Sequence, residues 1–250
     1  MKKVLFVLML STAVVRAQSD NIFSDLLSQH VIDGHVDYEE LCQNDHLQTY
    51  ISQLAQSRPD SLRDKKDKLA FWINAYNAYT LKIICDNFPL KSINELHTGG
   101  LYLGSIIKKT VWHKKFAVVN GEKLSLNDIE HEIIRKKFAD PRIHFAVVCA
   151  SKSCPALRSE AFTGSRIDQQ LDEQARVFFA DKEKNHFNAE KKLAYLSKIL
   201  DWYQRDFGKN EVEVLQYIAD FLPEKIANSI RRNPQEWKVK YTSYDWSLND

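Results

Sequence analysis

The stretch DKLAFWINAYNAYTLKIICDN, Asp67 to Asn87, constrains the fold more than any other part of the chain. Its spacing is helical, but its apolar residues are spread around nearly the whole circumference instead of along one stripe. A helix of that kind has no face to give to water, so it belongs at the centre with other elements wrapped around it. Two carboxamides, Asn74 and Asn77, lie one turn apart on one of its faces. A buried carboxamide needs hydrogen-bond partners. Pinning the backbone of a neighbouring loop is its commoner use, and orienting a catalytic side chain is the other. Pro89 ends the helix.

The elements expected around this rod are mostly helical. Ser24–Gln29 and Tyr38–Leu54 carry helical spacing, with Val36 and Asp37 as a break between them. Lys115–Val119 is β-rich and runs into Asn120-Gly121, the best hairpin signal in the chain. Ser125 and Asp128 have capping-box spacing and open a helix through Phe138. A strand is expected over Arg142–Cys149. Helices are expected over Ser165–Ala180, Ser197–Arg205, Asn210–Leu222 and Pro223–Arg232, with a hairpin tip at Asn188–Lys192 and an extended tail from Trp237 to Trp246. The fold class is α+β, helix-rich, with a small mixed or antiparallel sheet. With 44% hydrophobic and 11% aromatic residues, six prolines, no repeat and no low-complexity linker, one domain over residues 19–250 is the simplest organisation.

The first residues read as a secretory signal, residues 1–18. Met1-Lys2-Lys3 is the positive region, Val4–Val15 is an apolar run too short to span a bilayer, and Ala17 and Gln18 precede polar Ser19-Asp20. The expected location is therefore exported, periplasmic or secreted, with no membrane span after signal cleavage. A net charge of +2 with scattered basic residues argues against a nucleic-acid partner. Four cysteines, Cys42, Cys85, Cys149 and Cys154, are too few for a disulfide-built scaffold but allow one or two bridges.

The chemistry-bearing segment is DPRIHFAVVCASKSCP, Asp140–Pro155. A thiol at the carboxyl end of a β-rich run, where the chain turns, stands where α/β proteins build sites. Cys149 has three readings. As a nucleophile it needs a base, because an ordinary thiol is mostly protonated near neutral pH. As half of a Cys149–Cys154 bridge it needs the turn to bring the α-carbons together. As a metal ligand it has poor spacing and no second close pair, so no metal is expected. The base would be His131 or His144. On a strand, His144 and Cys149 point to opposite faces, which reduces His144 to a supporting position. On the helix after Ser125, the core stripe is Leu126, Ile129, Ile133 and Ile134. Glu130 falls inside that stripe and His131 at its rim. A buried carboxylate needs a donor, and adjacent helical residues diverge, so Glu130 wants a partner other than His131. The ordinary alternative is that Glu130 ties the helix to an Arg, Lys or Trp. Gly99-Gly100 and Gly104 lack a phosphate-cradling pattern, and no nucleotide, zincin or nucleophile-elbow motif is present, so no cofactor is expected.

Taken together, FWINAYNAY (Phe71–Tyr79), LSLNDIEHEIIR (Leu124–Arg135), DPRIHFAVVCASKSCP, LSKILDWYQRDFG (Leu196–Gly208) and YDWSLN (Tyr244–Asn249) resemble the domain-of-unknown-function 547 (DUF547) family. The resemblance implies a Cys, His and acid set similar to that of papain-like thiol hydrolases, here Cys149, His131 and Glu130, in a permuted order, and a papain-like fold. Thiol proteases commonly hold the nucleophile at a helix N-terminus, and a helix beginning at Cys154 or Pro155 would approximate that. Two functions follow. One is an exported cysteine hydrolase of peptidase or amidase type, with Asn74, Asn77, Cys154 and His144 in supporting or substrate-binding positions. The other is a non-catalytic module binding a peptide or cell-wall-type ligand, with Cys149 and Cys154 bridged or structural and Trp237, Tyr241, Tyr244 and Trp246 lining a groove.

Overall fold

The structure, a computed structural model, describes residues 21–97 and 110–250. The secretory signal expected over residues 1–18, and Gly99, Gly100 and Gly104, lie outside the described residues. Helix α1 spans residues 21–30, followed by the short hairpin β1 (Val31–Ile32) and β2 (His35–Val36). Helices α2 (Tyr38–Leu41) and α3 (Asp45–Gln56) replace the single helix expected to run on to Leu54. The break is chemical, because Asn44 turns its side chain onto the backbone N–H of His46 and starts a new helix.

Helix α4 (Lys65–Cys85) is the central rod, capped by Asp64 accepting from Lys66 N (2.7 Å). Every residue from Leu69 to Leu81 is buried, as a fully apolar circumference requires. The hairpin β3 (Ala117–Val119) and β4 (Glu122–Leu124) turns at Asn120 and Gly121, both at positive φ (52° and 75°), which is the two-residue turn that Asn-Gly favours. Ser125 and Asp128 form the expected reciprocal cap: Asp128 N donates to Ser125 Oγ (3.0 Å), and Ser125 N donates to Asp128 Oδ2 (2.9 Å). The helix they open, α5, is wound as a π-helix over Asp128–Arg135 and finishes as an α-helical turn, Lys136–Phe138.

No strand forms over Arg142–Cys149. Pro141–Phe145 is a 3₁₀ helix capped by Asp140, and the chain then runs irregularly to Cys149. The run is buried on all sides without being a strand, so its β-branched composition reports burial. Residues 143–148 are all buried, with Ile143, Val147 and Val148 in one apolar cluster and Phe145 in a second. The backbone there pairs with no strand among the described residues, and Asn77 supplies the missing pairing: its Nδ2 donates to Ala146 O and its Oδ1 accepts from Val148 N, both at 2.9 Å. Asn74 does the same for Phe162, through N–H and C=O bonds of 2.8 Å. Both carboxamides therefore pin backbone. No helix begins at Cys154 or Pro155; the next, α6, is Ile167–Ala180.

Strands β5 (His186–Asn188) and β6 (Leu193–Leu196) make the expected hairpin. The tail adds β7 (Lys238–Tyr241) parallel to β6, so this sheet is mixed. Between them lie α7 (Lys198–Trp202), α8 (Gln204–Phe207), α9 (Glu211–Ile218) and α10 (Glu224–Arg232). The architecture is helix-rich α+β. One core surrounds α4, and a second packs α6 and the helices of the C-terminal part against the mixed sheet. Cys42 and Cys85 are joined by a disulfide between the end of α2 and the end of α4. Among the described residues, no helix is long and apolar enough to cross a membrane.

The last residues return across the molecule and clasp the turn after Cys149. Lys152 N donates to Ser247 O (2.8 Å), Ser153 N to Asp245 O (3.2 Å) and Asn249 N to Ala150 O (3.3 Å). A strap that also donates from Leu248 N to Lys91 O ties the turn to the end of the central helix region. Ala150 itself sits at φ 60°, a left-handed conformation that a non-glycine residue adopts only when its surroundings hold it there.

Candidate active site

A cleft of about 180 Å³ opens between the central helix, the π-helix and the strap. Its lining includes Glu130, His131, His144, Cys149 and Cys154, so five of the candidate residues meet in one place. Asn74 and Asn77 are absent from that lining. Asn77 acts on the site at one remove, by fixing the backbone that leads into Cys149.

Cys149 is partly exposed on the cleft wall and Cys154 is buried behind it; both are free thiols. Cys154 Sγ donates to Cys149 Sγ at 2.8 Å, and Cys149 N donates to Cys154 Sγ at 2.8 Å. Ser151 Oγ (3.1 Å) and Tyr244 Oη (3.2 Å) complete the surroundings of the Cys149 sulfur. Burial pushes the Cys149 thiol up, but the hydrogen bonds from Cys154, Ser151 and Tyr244 outweigh it and bring it down from 9.0 to about 7. Burial and the proximity of Cys149 drive Cys154 the other way. The two thiols are thus unequal, with the accessible one the readier thiolate. Its hydrogen-bond partners among the described residues are these three groups, and neither imidazole is one of them.

Adjacent Glu130 and His131 are not held apart: His131 Nδ1 and Glu130 Oε1 approach to 3.9 Å. Glu130 is nonetheless satisfied elsewhere, by Tyr203 Oη donating to its Oε1 at 2.8 Å. His131 Nδ1 accepts from Arg135 Nη1 (3.0 Å). Arginine has no lone pair to offer, so neutral His131 carries its proton on Nε2. Burial first, and then the Arg135 charge, lower the His131 pKa against the opposing pull of Glu130, which keeps the ring neutral.

His144 is reached only because the strand is missing. From the 3₁₀ helix its ring lies in the cleft wall, stacked on Tyr203 with centroids 4.0 Å apart. Its Nε2 meets Asp206 Oδ2 at 2.6 Å, and Arg135 grips the same carboxylate through Nε (2.7 Å) and Nη2 (2.8 Å). His144 and Arg135 hold the Asp206 carboxyl well below the usual carboxylate range against the opposing effect of burial. An ionised Asp206 can only accept, so Nε2 of His144 is the donor, and in the neutral ring the lone pair is on Nδ1. An imidazole held this way by a carboxylate can take and return protons.

Sequence reasoning missed Asp206, Tyr203 and Ser151, and named Tyr244 only as a groove-lining aromatic. Of the aromatic tail, Trp237 is buried and Tyr241 packs against the second core, whereas Tyr244 and Trp246 line the cleft. Tyr244 packs at a tilt against Trp246 (4.6 Å) and Trp202 (4.8 Å), Trp202 and Trp246 are stacked (5.9 Å), and Trp202 is 49% exposed, forming an aromatic ledge at the cleft. Among the described residues, no group of three or more His, Cys, Asp or Glu side chains is placed to hold a metal ion.

Residues 59–179 match the family model described as "Protein of unknown function, DUF547". The chain carries a DUF547 family domain over those residues, which hold α4, the π-helix and both cleft cysteines. Tyr203, Asp206 and Tyr244 lie beyond the matched residues. No curated protein and no solved structure matches the chain.

Proposed function

We propose that this protein is an exported thiol-dependent hydrolase that cleaves an amide, peptide or cell-wall-type bond by acyl transfer through Cys149. The observation that carries the reading is a cleft-facing thiol brought to about 7 by three hydrogen-bonding neighbours, with two imidazoles lining the same cleft. The likeness to papain-type enzymes is then one of chemistry, a Cys, His and acid, and not one of fold.

In this proposal Cys149 loses its proton across the cleft to Nδ1 of His144, directly or through one water, and its thiolate adds to the substrate carbonyl. The carbonyl electron pair moves to oxygen, where the Nε2–H of neutral His131 is the available donor. The C–N bond breaks, the leaving amine takes the proton from His144, and a thioester remains on Cys149. Water, deprotonated by His144, then releases the acid and restores the thiol. Asp206 orients His144 and stabilises its charged form. Glu130, tied to Tyr203, holds the His131 wall. His144 is preferred to His131 as base because, in the neutral rings, the His144 nitrogen not held by Asp206 has the lone pair, while the His131 nitrogen not held by Arg135 carries the proton. The aromatic ledge of Trp202, Tyr244 and Trp246 offers flat faces for a peptide side chain or sugar ring. The Cys42–Cys85 disulfide supports export to an oxidising compartment.

The test is to incubate the protein with acyl thioesters and activated acyl esters and map adducts by mass spectrometry. The proposal expects an acyl group on Cys149, absent in Cys149→Ala and slow to hydrolyse in His144→Ala. Acyl turnover that survives Cys149→Ala unchanged would discard it.

A further inference from the structure

A nucleophile does not need a second thiol touching it. Cys154 lies beneath Cys149, 4% exposed, with the two sulfurs 2.8 Å apart. A disulfide bond is about 2.05 Å long, so bonding requires an approach of about 0.8 Å. The intervening turn is already closed, Cys154 N donating to Ser151 O (3.0 Å), and is clasped on both sides of Ser151 by the strap. Both residues line the cleft, but Cys149 is the more exposed of the two. The buried one has a backbone donor, Cys149 N, aimed at it, which would stabilise negative charge as its proton leaves. That is an attacking thiol and a resolving thiol in one turn.

We propose that Cys149 and Cys154 form a dithiol–disulfide couple that exchanges with small disulfides entering the cleft. Cys149 thiolate attacks one sulfur of the incoming disulfide, forming a mixed disulfide and expelling one thiolate. Cys154 loses its proton and attacks the Cys149 sulfur, forming the Cys149–Cys154 bond and expelling the second thiolate. Two protein thiols are oxidised and one small disulfide is reduced to two thiols, with two electrons transferred. The inequality of the two thiols suits the sequence of steps, since the readier thiolate is the exposed one. The couple does not require the hydrolase to exist. If the hydrolase does exist, the bridged form has no free nucleophile.

The experiment equilibrates the full chain with glutathione at a series of oxidised-to-reduced ratios, quenches with acid, alkylates, and maps each cysteine by mass. The expected result is that Cys149 and Cys154 lose alkylation together, over one transition, with loss of two hydrogens and no glutathione retained. In Cys154→Ser, one glutathione should remain on Cys149. Should that variant fail to fold, rapid acid quenching of the wild type during oxidation should catch the same Cys149 adduct transiently. Glutathione left permanently on wild-type Cys149 would overturn the proposal, as would both thiols remaining open to alkylation at every ratio. Acylation of Cys149, measured separately, decides the hydrolase alone: reversible bridging in a protein that never acylates upholds the couple and removes only the hydrolase.

Discussion

Asn77 and Asn74 offer a matched pair of perturbations. Each is buried on α4 and each exchanges one N–H and one C=O bond with backbone, Asn77 at Ala146 and Val148, Asn74 at Phe162. Truncation to alanine leaves two buried backbone groups without partners. At about 1–3 kcal/mol for each such group, either variant should lose about 2–6 kcal/mol. That is a large part of the roughly 5–15 kcal/mol that holds a domain together. At about 2–4 °C per kcal/mol for a chain of this size, the melting temperature should fall by about 4–24 °C. The two variants should separate at the site. Only Asn77 fixes the segment leading into Cys149, so iodoacetamide labelling of that thiol should change in Asn77→Ala and not in Asn74→Ala. Urea unfolding gives the stabilities, and peptide mapping gives the labelling rate. A loss below about 1 kcal/mol in Asn77→Ala would refute the claim that the carboxamide substitutes for a missing strand. Equal changes in Cys149 labelling would refute its specific link to the site.

Removing the hydroxyl in Tyr203→Phe leaves the buried Glu130 carboxylate short of its 2.8 Å donor, and should cost about 1–3 kcal/mol in urea unfolding at neutral pH; an unchanged midpoint would show that Glu130 has another partner. The Asp206 carboxyl has its pKa depressed in the folded chain by His144 and Arg135, so its stabilisation is complete above the ordinary carboxylate range and is lost as pH falls through its folded value. Asp206→Asn should therefore lower stability at neutral pH and flatten the acid limb of the stability profile; an acid limb identical to the wild type would contradict the assigned ion pairing.

Much of the scaffold was legible because it depends on local rules. The all-round apolarity of Asp67–Asn87 pointed to the central rod, the Asn120-Gly121 pair to the hairpin, and Ser125 with Asp128 to the cap. Placing Glu130 on the buried face of its helix also needed only periodicity. The failures are non-local. The β-branched run Ile143–Val148 read as a strand because composition reports burial, while ladder partners are set by tertiary structure, and here a side chain supplied the pairing. That error carried a second with it, since the strand geometry sent His144 away from Cys149. The π winding of Asp128–Arg135 has no local sequence signal to reveal it. Tyr203, Asp206 and Tyr244 are separated from Cys149 by tens of residues and share no motif spacing with it. They fall in the segments LSKILDWYQRDFG and YDWSLN, which lie beyond the matched residues 59–179, and only Tyr244 had a trace of its own, in the aromatic tail.

The central claim is that the Cys149 sulfur is a ready thiolate in an open cleft, and the pH dependence of its alkylation tests this most directly. The rate of iodoacetamide labelling at Cys149, followed by peptide mass in the absence of oxidant, should rise with a midpoint at about 7, and Cys154→Ala should move that midpoint upward by removing the thiol donor. A wild-type midpoint at the ordinary thiol value of 9.0, or no labelling of Cys149 at any pH in the folded protein, would contradict it.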